Sequence, residues 1–346
     1  MAAHRILITG ANGYIASHII SQLLSSSTPH SIRAVVRSQS KVEDVKAVFP
    51  SASSAQLDFA IVPDITAPGA FDEALKSDPP FDTIIHTASP VGHNSADFLG
   101  PAIKGTTEIL QAISRITPSS VKRVILTSSI ATIGAFGLVD ERNKVYTEDD
   151  WNPVTLEQAE KSGEIFLAYL ASKKFAELAA WEEQKRDGVN WDLVVFNPPM
   201  VYGPLVHRVK SMGELNESTA RIWNLFLKEG VLAGEMPDNG VPLYVDVRDV
   251  AYAHVLAIDA PDAGNQRFLI TAGAVTSQQI ADILRSEVPG ADKRTPKGEP
   301  GKNRLADDAY SADTTKVRSV LGLTFRSAKE TLADLGRQLL ELEKSP

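Results

Sequence analysis

Short apolar runs alternate with longer stretches of helical periodicity through the first half of the chain. Ile6-Leu7-Ile8 reads as a buried strand, followed by a glycine turn and a helix from about Tyr14 to Leu24. Ile32 to Val36, Phe59 to Val62, Thr83 to Ile85, Val124 to Leu126 and Leu193 to Phe196 read as five further strands. Two long helical patterns span roughly residues 98–116 and 163–186. The strands are apolar throughout rather than alternating, so both of their faces must be covered. That predicts an α/β fold of the Rossmann type, a doubly wound parallel sheet whose ligands bind at the carboxyl ends of the strands. After Asn197 the pattern breaks up. Residues 198–243 mix Gly, Pro and single aromatics, 288–305 read as a polar surface loop, and 327–343 as an amphipathic helix carrying Leu332, Leu335, Leu339 and Leu342. The expected layout is a nucleotide-binding domain over 1–196, joined again by about 244–270. A smaller C-terminal substrate lobe, with the final helix, occupies most of 197–346.

Composition narrows the function classes. With 43% hydrophobic and 23% charged residues in 346, the chain has the material for a full core, and disorder is excluded for its bulk. Thirty-five basic against 43 acidic residues give a net charge of −8, which argues against nucleic acid or an anionic membrane as partner. The chain has no cysteine, which removes disulfides, thiolate catalysis and cysteine-ligated metal clusters. None of the seven histidines has a partner at metal-ligand spacing, so no metal is expected. Met1-Ala2-Ala3-His4-Arg5 runs straight into an apolar pattern only four residues long, too short for a signal-peptide core, and the expected location is the cytoplasm.

The first turn carries chemistry. In Thr9-Gly10-Ala11-Asn12-Gly13-Tyr14-Ile15-Ala16, Gly10 permits a tight turn and Gly13 lets backbone approach a pyrophosphate at the helix N-terminus. Ala16 lets the helix pack closely on the strand. The second strand ends in Val36-Arg37-Ser38-Gln39-Ser40-Lys41, with no acid for the ribose hydroxyls of NAD. Arg37 suits a bidentate contact to the 2′-phosphate of NADPH, and Lys41 adds a point charge. Asp64-Ile65 follows the third strand, where Asp64 either meets the adenine or caps a turn.

The second constellation begins with Thr127-Ser128-Ser129 at a strand's carboxyl end. Forty residues on, Tyr169 and Lys173 stand four apart on a long helix and so share a face; no other tyrosine has lysine at that spacing. A phenol of pKa about 10 must fall by roughly 3 units, about 4 kcal/mol, to exchange protons near neutrality. An ammonium about 4 Å away at an effective dielectric near 20 supplies on the order of 4 kcal/mol. Lys173 is thus expected to bring the Tyr169 phenol down, with Ser129 donating a hydrogen bond to a substrate oxygen.

These residues together resemble the extended branch of the short-chain dehydrogenase/reductase superfamily. They resemble in particular the fungal NADPH-dependent aldehyde and ketone reductases, and the related dihydroflavonol reductase-like group. The resemblance rests on TGANGYIA (9–16), VRSQSK (36–41), VPDI (62–65), IHTASP (85–90), VKRVILTSS (121–129), YLASKKFAE (169–177), NPPMVYGP (197–204) and VDVRDVAYAH (245–254). It implies NADPH as cofactor and a small aldehyde or ketone as partner. It implies Ser129, not Ser128, as the catalytic serine, Tyr169 as proton donor, and Lys173, not Lys174, on the nicotinamide ribose. Asn12, Tyr14, Ile15, Thr87, Ala88, Ser89, Thr127, Pro198, Val201 and Ser218 fall where such proteins contact the cofactor. Pro90, Val91, Ile130, Met200, Trp223 and Phe226 fall around the substrate pocket, although Trp223 and Phe226 suit a core equally well.

The chain departs from the pattern where a fourth catalytic residue, asparagine, often stands: that position is Ala102. The charges of Val245-Asp246-Val247-Arg248-Asp249-Val250 fit a helix cap and a lock on the small lobe better than catalysis. Two rivals keep the fold and change the activity. One is a nucleotide-sugar epimerase or dehydratase with a tightly held NAD, the other a regulator that senses the dinucleotide without turnover. The long helices suit either a monomer or a homodimer.

Overall fold

The computed structural model describes residues 3–89, 98–231, 235–238 and 240–344; Pro90 and Val91, assigned above to the substrate pocket, lie outside them. The strands are β1 (Arg5–Thr9), β2 (Ser31–Val36), β3 (Leu57–Ile61), β4 (Thr83–His86), β5 (Arg123–Thr127), β6 (Val145–Tyr146), β7 (Asp192–Asn197), β8 (Met200–Tyr202), β9 (Leu243–Asp246), β10 (Gln266–Leu269), β11 (Gly273–Ala274) and β12 (Ser311–Ala312). The helices are α1 (Tyr14–Leu24), α2 (Gln39–Val48), α3 (Leu99–Ile116), α4 (Leu156–Ser162), α5 (Ile165–Gln184), α6 (Glu217–Ile222), α7 (Val247–Asp259), α8 (Ser277–Glu287), α9 (Thr315–Leu321) and α10 (Ala328–Lys344).

Seven strands form one parallel sheet in the order β10-β7-β5-β4-β1-β2-β3. The order reverses between β1 and β4, the switch point beside which an open α/β sheet binds its ligand. Successive side chains point to opposite faces, and both faces are apolar. Ile6, Ile8, Ile85 and Ile125 pack with Ile19 and Ile20 of α1 and Val250 of α7. Leu7, Ile84, Val124 and Leu126 pack on the other side with Ile109, Leu110 and Ile113 of α3. This two-sided covering is why the strand runs show no polar alternation.

The stretch about 244–270 divides between two sheets. β10 joins the main sheet beside β7, and α7 lies in the core layer with α1. β9 instead pairs with β8 and β11 in a three-stranded sheet. The charged string at 246–249 fastens these parts. Asp246 caps α7 by accepting from the Arg248 N–H at 2.8 Å, and accepts from the Thr331 hydroxyl of α10 at 2.8 Å. Arg248 reaches on to Asp334 of α10 at 2.8 Å. The basic stretch after β2 runs into α2, which starts at Gln39, buries Val42 and Val45, and leaves Arg37 at the turn before it.

Candidate active site

Gly10 has φ +66°, and a Cβ there would stand 3.0 Å from the backbone of Ala88. The chain must therefore be bare where β1 passes β4. Gly13 donates to the Gly10 carbonyl at 2.8 Å and starts α1 without a capping side chain, so the helix N-terminus stays open to an anion. Thr9 and Thr87 hold the facing strand ends: the Thr87 hydroxyl donates to the Thr9 carbonyl at 2.6 Å, and the Ala88 N–H to the Thr9 hydroxyl at 3.1 Å.

Above this turn opens a cleft of about 650 Å³, lined by Gly10, Asn12, Gly13, Arg37, Asp64, Ile65, Thr87, Ala88 and Ser89 among others. Its size and bare glycine floor fit a dinucleotide. Arg37 is exposed at the β2 end of the cleft. Asp64 caps a turn at the edge of the cleft. It lines the cleft, and its carboxylate accepts from the N–H and hydroxyl of Thr66 at 2.8 and 2.7 Å, which holds it below the usual carboxylate range.

Several residues expected at the cofactor also have partners within the chain. The Tyr14 hydroxyl is buried and donates to the Gly203 carbonyl at 2.6 Å, while Ile15 packs on the core. Lys41 pairs with Asp44 at 3.0 Å. The Thr127 hydroxyl meets His254 Nε2 at 2.7 Å. The other ring nitrogen of His254 donates to the Val250 carbonyl at 2.8 Å, and burial holds the ring neutral with a pKa of about 4, so Thr127 is the donor. The Pro198 carbonyl accepts from the Ile130 N–H at 2.9 Å. Val201 lies in the core, and Ser218 is buried and accepts from Asn216 at 2.8 Å. Phe226 has no exposed surface and Trp223 only 6%; both lie in the core, on the helical turn Trp223–Leu227 that continues α6. Ile130 is buried with Ile133, Tyr146 and Leu269, and Met200 packs against the main core. Ala102 is buried on α3.

The two serines after β5 separate by partner. Ser128 donates to the Glu177 carboxylate at 2.6 Å and faces the interior. Ser129 accepts from the Ala131 N–H at 3.1 Å and hydrogen-bonds Tyr169, so its hydroxyl is the one beside the phenol. On α5, Lys174 turns away and donates to the carbonyls of Asn152 and Val154 at 2.8 and 2.9 Å. Lys173 donates to the Ser89 hydroxyl at 2.9 Å. Since Ser89 lines the cleft, this bond joins the Tyr169 face of α5 to the cleft wall formed by β4 and the glycine turn.

The electrostatics correct one expectation. Burial raises the Tyr169 phenol above its ordinary 10; the Ser129 hydrogen bond pulls it down and the charge of Glu217 pushes it up. Lys173 does not bring it down: its ammonium is 6.0 Å from the ring centre and is held by Ser89. Burial instead lowers Lys173 itself to about 8. His86, buried beneath and bonded to Thr9 at 2.8 Å, is kept neutral at about 4 by burial and then by the charge of Lys173.

Lys173 therefore opposes folding while charged. Its folded pKa lies below its unfolded one, so stability rises with pH between about 8 and 10.5, where only the unfolded chain keeps the proton. Lys173→Met is expected to melt several degrees above the parent at pH 7, with the gap closing as pH rises through that window. Equal melting temperatures at pH 7 would show that the lysine pays no burial penalty.

Three supports of this site carry no local sequence signature. Glu177 of α5 is paired with Arg267 of β10 at 2.6 Å, in a chain where 90 residues separate them. Asn197 donates to Glu177 at 2.7 Å and to the Thr132 hydroxyl at 2.9 Å. The Asn152 side chain donates to the carbonyls of Ala131 and Leu170 at 2.5 and 3.1 Å, tying the Ser129 turn to the Tyr169 helix.

Comparison with known proteins agrees with this architecture. Residues 6–271 match the NAD dependent epimerase/dehydratase family. A ketoreductase of Aspergillus niger, azaE, is 37% identical over 349 aligned positions, covering 98% of both chains. The NADPH-dependent methylglyoxal reductase GRE2 of Saccharomyces cerevisiae is 33% identical over 350 positions, again 98% of both. The crystal structure of yeast methylglyoxal/isovaleraldehyde reductase Gre2 with NADPH superposes with a TM-score of 0.88 at 33% identity, over 99% of each chain. Vestitone reductase from alfalfa, at 23% identity and a TM-score of 0.72, shares the fold over 98% of each chain.

Proposed function

The chain belongs to the NAD dependent epimerase/dehydratase family and is an NADPH-dependent oxidoreductase, and from this we propose that it reduces small aldehydes or ketones to alcohols with Tyr169 as proton donor. The observation that carries the reading is the joining of Tyr169, Ser129 and Lys173 to the cleft through the 2.9 Å bond from Lys173 to Ser89. Gly10, Gly13, Arg37, Thr87, Ala88 and Ser89 would hold NADPH, which supplies hydride when bound.

The remaining work falls to side chains. Tyr169 is a neutral phenol at physiological pH, the protonation state that a reduction requires, and gives its proton to the carbonyl oxygen as negative charge develops there. Ser129, already bonded to the phenol, donates to the same oxygen and fixes it. Lys173 orients the cofactor side of the site through its bond to Ser89. No helix among the described residues is long and apolar enough to cross a membrane.

Arg37 supports the choice of NADPH, since an epimerase holding NAD ordinarily has an acid there. Losing a charge-assisted phosphate contact and adding a repulsion amounts to roughly 1.5–3 kcal/mol. Arg37→Asp is therefore expected to raise the KM for NADPH about ten- to a hundredfold and to change the KM for NADH less than about threefold. Equal changes for the two cofactors would contradict a phosphate contact.

A further inference from the structure

The amino ends of the strands, opposite the edge where the cleft opens, carry a layer of paired charges. Arg5 of β1 and Arg33 of β2 both reach Asp58 of β3, Arg33 at 2.6 Å, and Arg123 of β5 reaches Asp192 of β7 at 2.8 Å. His4, just before β1, stands between two more carboxylates. Its Nδ1 is 2.8 Å from Asp82, which precedes β4, and its Nε2 is 2.9 Å from Asp259, the last residue of α7. These three arginines thus face four acids, and the set is neutral when His4 carries the fourth positive charge.

The hydrogen bonds require that charge. Both oxygens of Asp82 accept already, one from the Thr83 hydroxyl at 2.7 Å and the other from the Arg5 N–H at 3.0 Å. A carboxylate accepts and does not donate. A ring that meets one carboxylate at each nitrogen must therefore donate from both, and only the imidazolium does so. Burial by itself would make the His4 ring less basic, but the hydrogen bonds and charges of Asp259 and Asp82 outweigh it and hold the ring above its ordinary 6.5. The end of α7 favours a cation as well, through its free carbonyls. Arg123 collects those of Ala257 and Ala260 at 2.5 and 2.7 Å. Arg5, the neighbour of His4 on β1, turns to Asp58 and Ser77. His30, ahead of β2, completes the surroundings. Its ring stacks on that of His4 with centres 5.8 Å apart, and its Nδ1 accepts the His4 N–H at 3.3 Å. Burial and then the charge of His4 hold His30 below its ordinary value, so one ring of the stack carries the proton.

We infer that His4 is a pH-dependent fastener: as an imidazolium it bridges Asp82 and Asp259 and ties the amino-terminal edge of the sheet to the end of α7, and on losing its proton it releases one of the two. A neutral ring keeps a single N–H, and its bare nitrogen then points a lone pair at a carboxylate. A histidine more basic in the folded chain than in the unfolded one adds stability that is fully present below about 6.5 and is lost as pH rises through the folded value. Lys173 acts with the opposite sign, since its burial favours folding more as pH rises from about 8. The fastener lies at the end of β1 away from the glycine turn, so it acts through the stability of the fold.

The test is thermal unfolding of the full chain and of His4→Gln from about pH 6 to about pH 9, with the histidine ring signals followed by NMR over the same range. His4→Gln is expected to melt about 2–4 °C below the parent at the acid end, with the gap narrowing as pH rises above about 6.5. The titration of Lys173 is common to both chains and cancels in the difference. The ring signal that His4→Gln lacks is expected to titrate above about 6.5 in the parent, and Asp259→Asn to move its midpoint down. A melting gap as wide at the alkaline end as at the acid end would overturn the inference and leave His4 a packing residue. A parent midpoint at or below about 6.5, or one that Asp259→Asn does not move, would overturn it without reference to stability.

Discussion

Tyr169→Phe is expected to lower kcat by about 10²–10⁴-fold while leaving NADPH affinity unchanged within about twofold. The substitution removes one hydroxyl and keeps the ring. That ring packs among Ala131, Val154, Leu170 and Ala171, so the helix and the Ser129 turn keep their places. The cleft walls come from β1, β2, β4 and the turns after them, not from the phenol. What disappears is a neutral acid beside the place where negative charge grows. Burial keeps that acid protonated, and the Ser129 bond aims it. Steady-state rates and a direct binding titration separate the two effects. A variant within about threefold of the parent kcat would remove Tyr169 as proton donor, and equal losses in rate and cofactor binding would make it a structural residue.

Arg267→Met is expected to cost about 3–5 kcal/mol of folding stability, the largest effect of any single substitution considered for this chain. Glu177 is 1% exposed. One of its oxygens accepts from Arg267 at 2.6 Å and the Trp181 indole at 3.4 Å, the other from Ser128 at 2.6 Å and Asn197 at 2.7 Å. Arg267 also lies 3.8 Å over the Trp151 ring and donates to the Asp150 carbonyl and the Thr132 hydroxyl, both at 3.1 Å. Without the guanidinium, a buried anion keeps only neutral donors, and the carbonyls of Glu148 and Asp150 lose theirs. Adding Glu177→Gln removes the stranded charge, so the double variant should recover part of the loss. Denaturant titration reads both. A single variant within about 1 kcal/mol of the parent would mean that the pair does not hold the Ser129 turn to α5 and β10.

The parts legible in the sequence are those written in local patterns. Helix α1 and strands β1, β2, β4, β5 and β7 follow from apolar runs bounded by turn residues, and α10 from its leucine spacing. The glycine turn was legible because one conformation at Gly10 admits little else. Tyr169 and Lys173 share a helix face by spacing alone. Partner choice was not legible, because it depends on which strands become neighbours. Ser128 and Ser129 differ only through Glu177, and Thr127 turns inward because His254 waits across the sheet face. The lowered phenol expected from Lys173 failed for the same reason: spacing sets the face, but Ser89 sets where the ammonium rests and burial sets the sign. Phe226 and Trp223 lie in the core, on the helical turn Trp223–Leu227 that continues α6.

The most direct test is to follow NADPH oxidation by the purified chain across a panel of small aldehydes and ketones, with NADH in parallel and the products separated by chiral chromatography. Expected is carbonyl-dependent consumption of NADPH, well ahead of NADH, with one alcohol formed per cofactor oxidised. No consumption with any carbonyl, together with NAD that co-purifies and interconversion of a nucleotide sugar, would contradict the reductase and select the epimerase chemistry of the same fold.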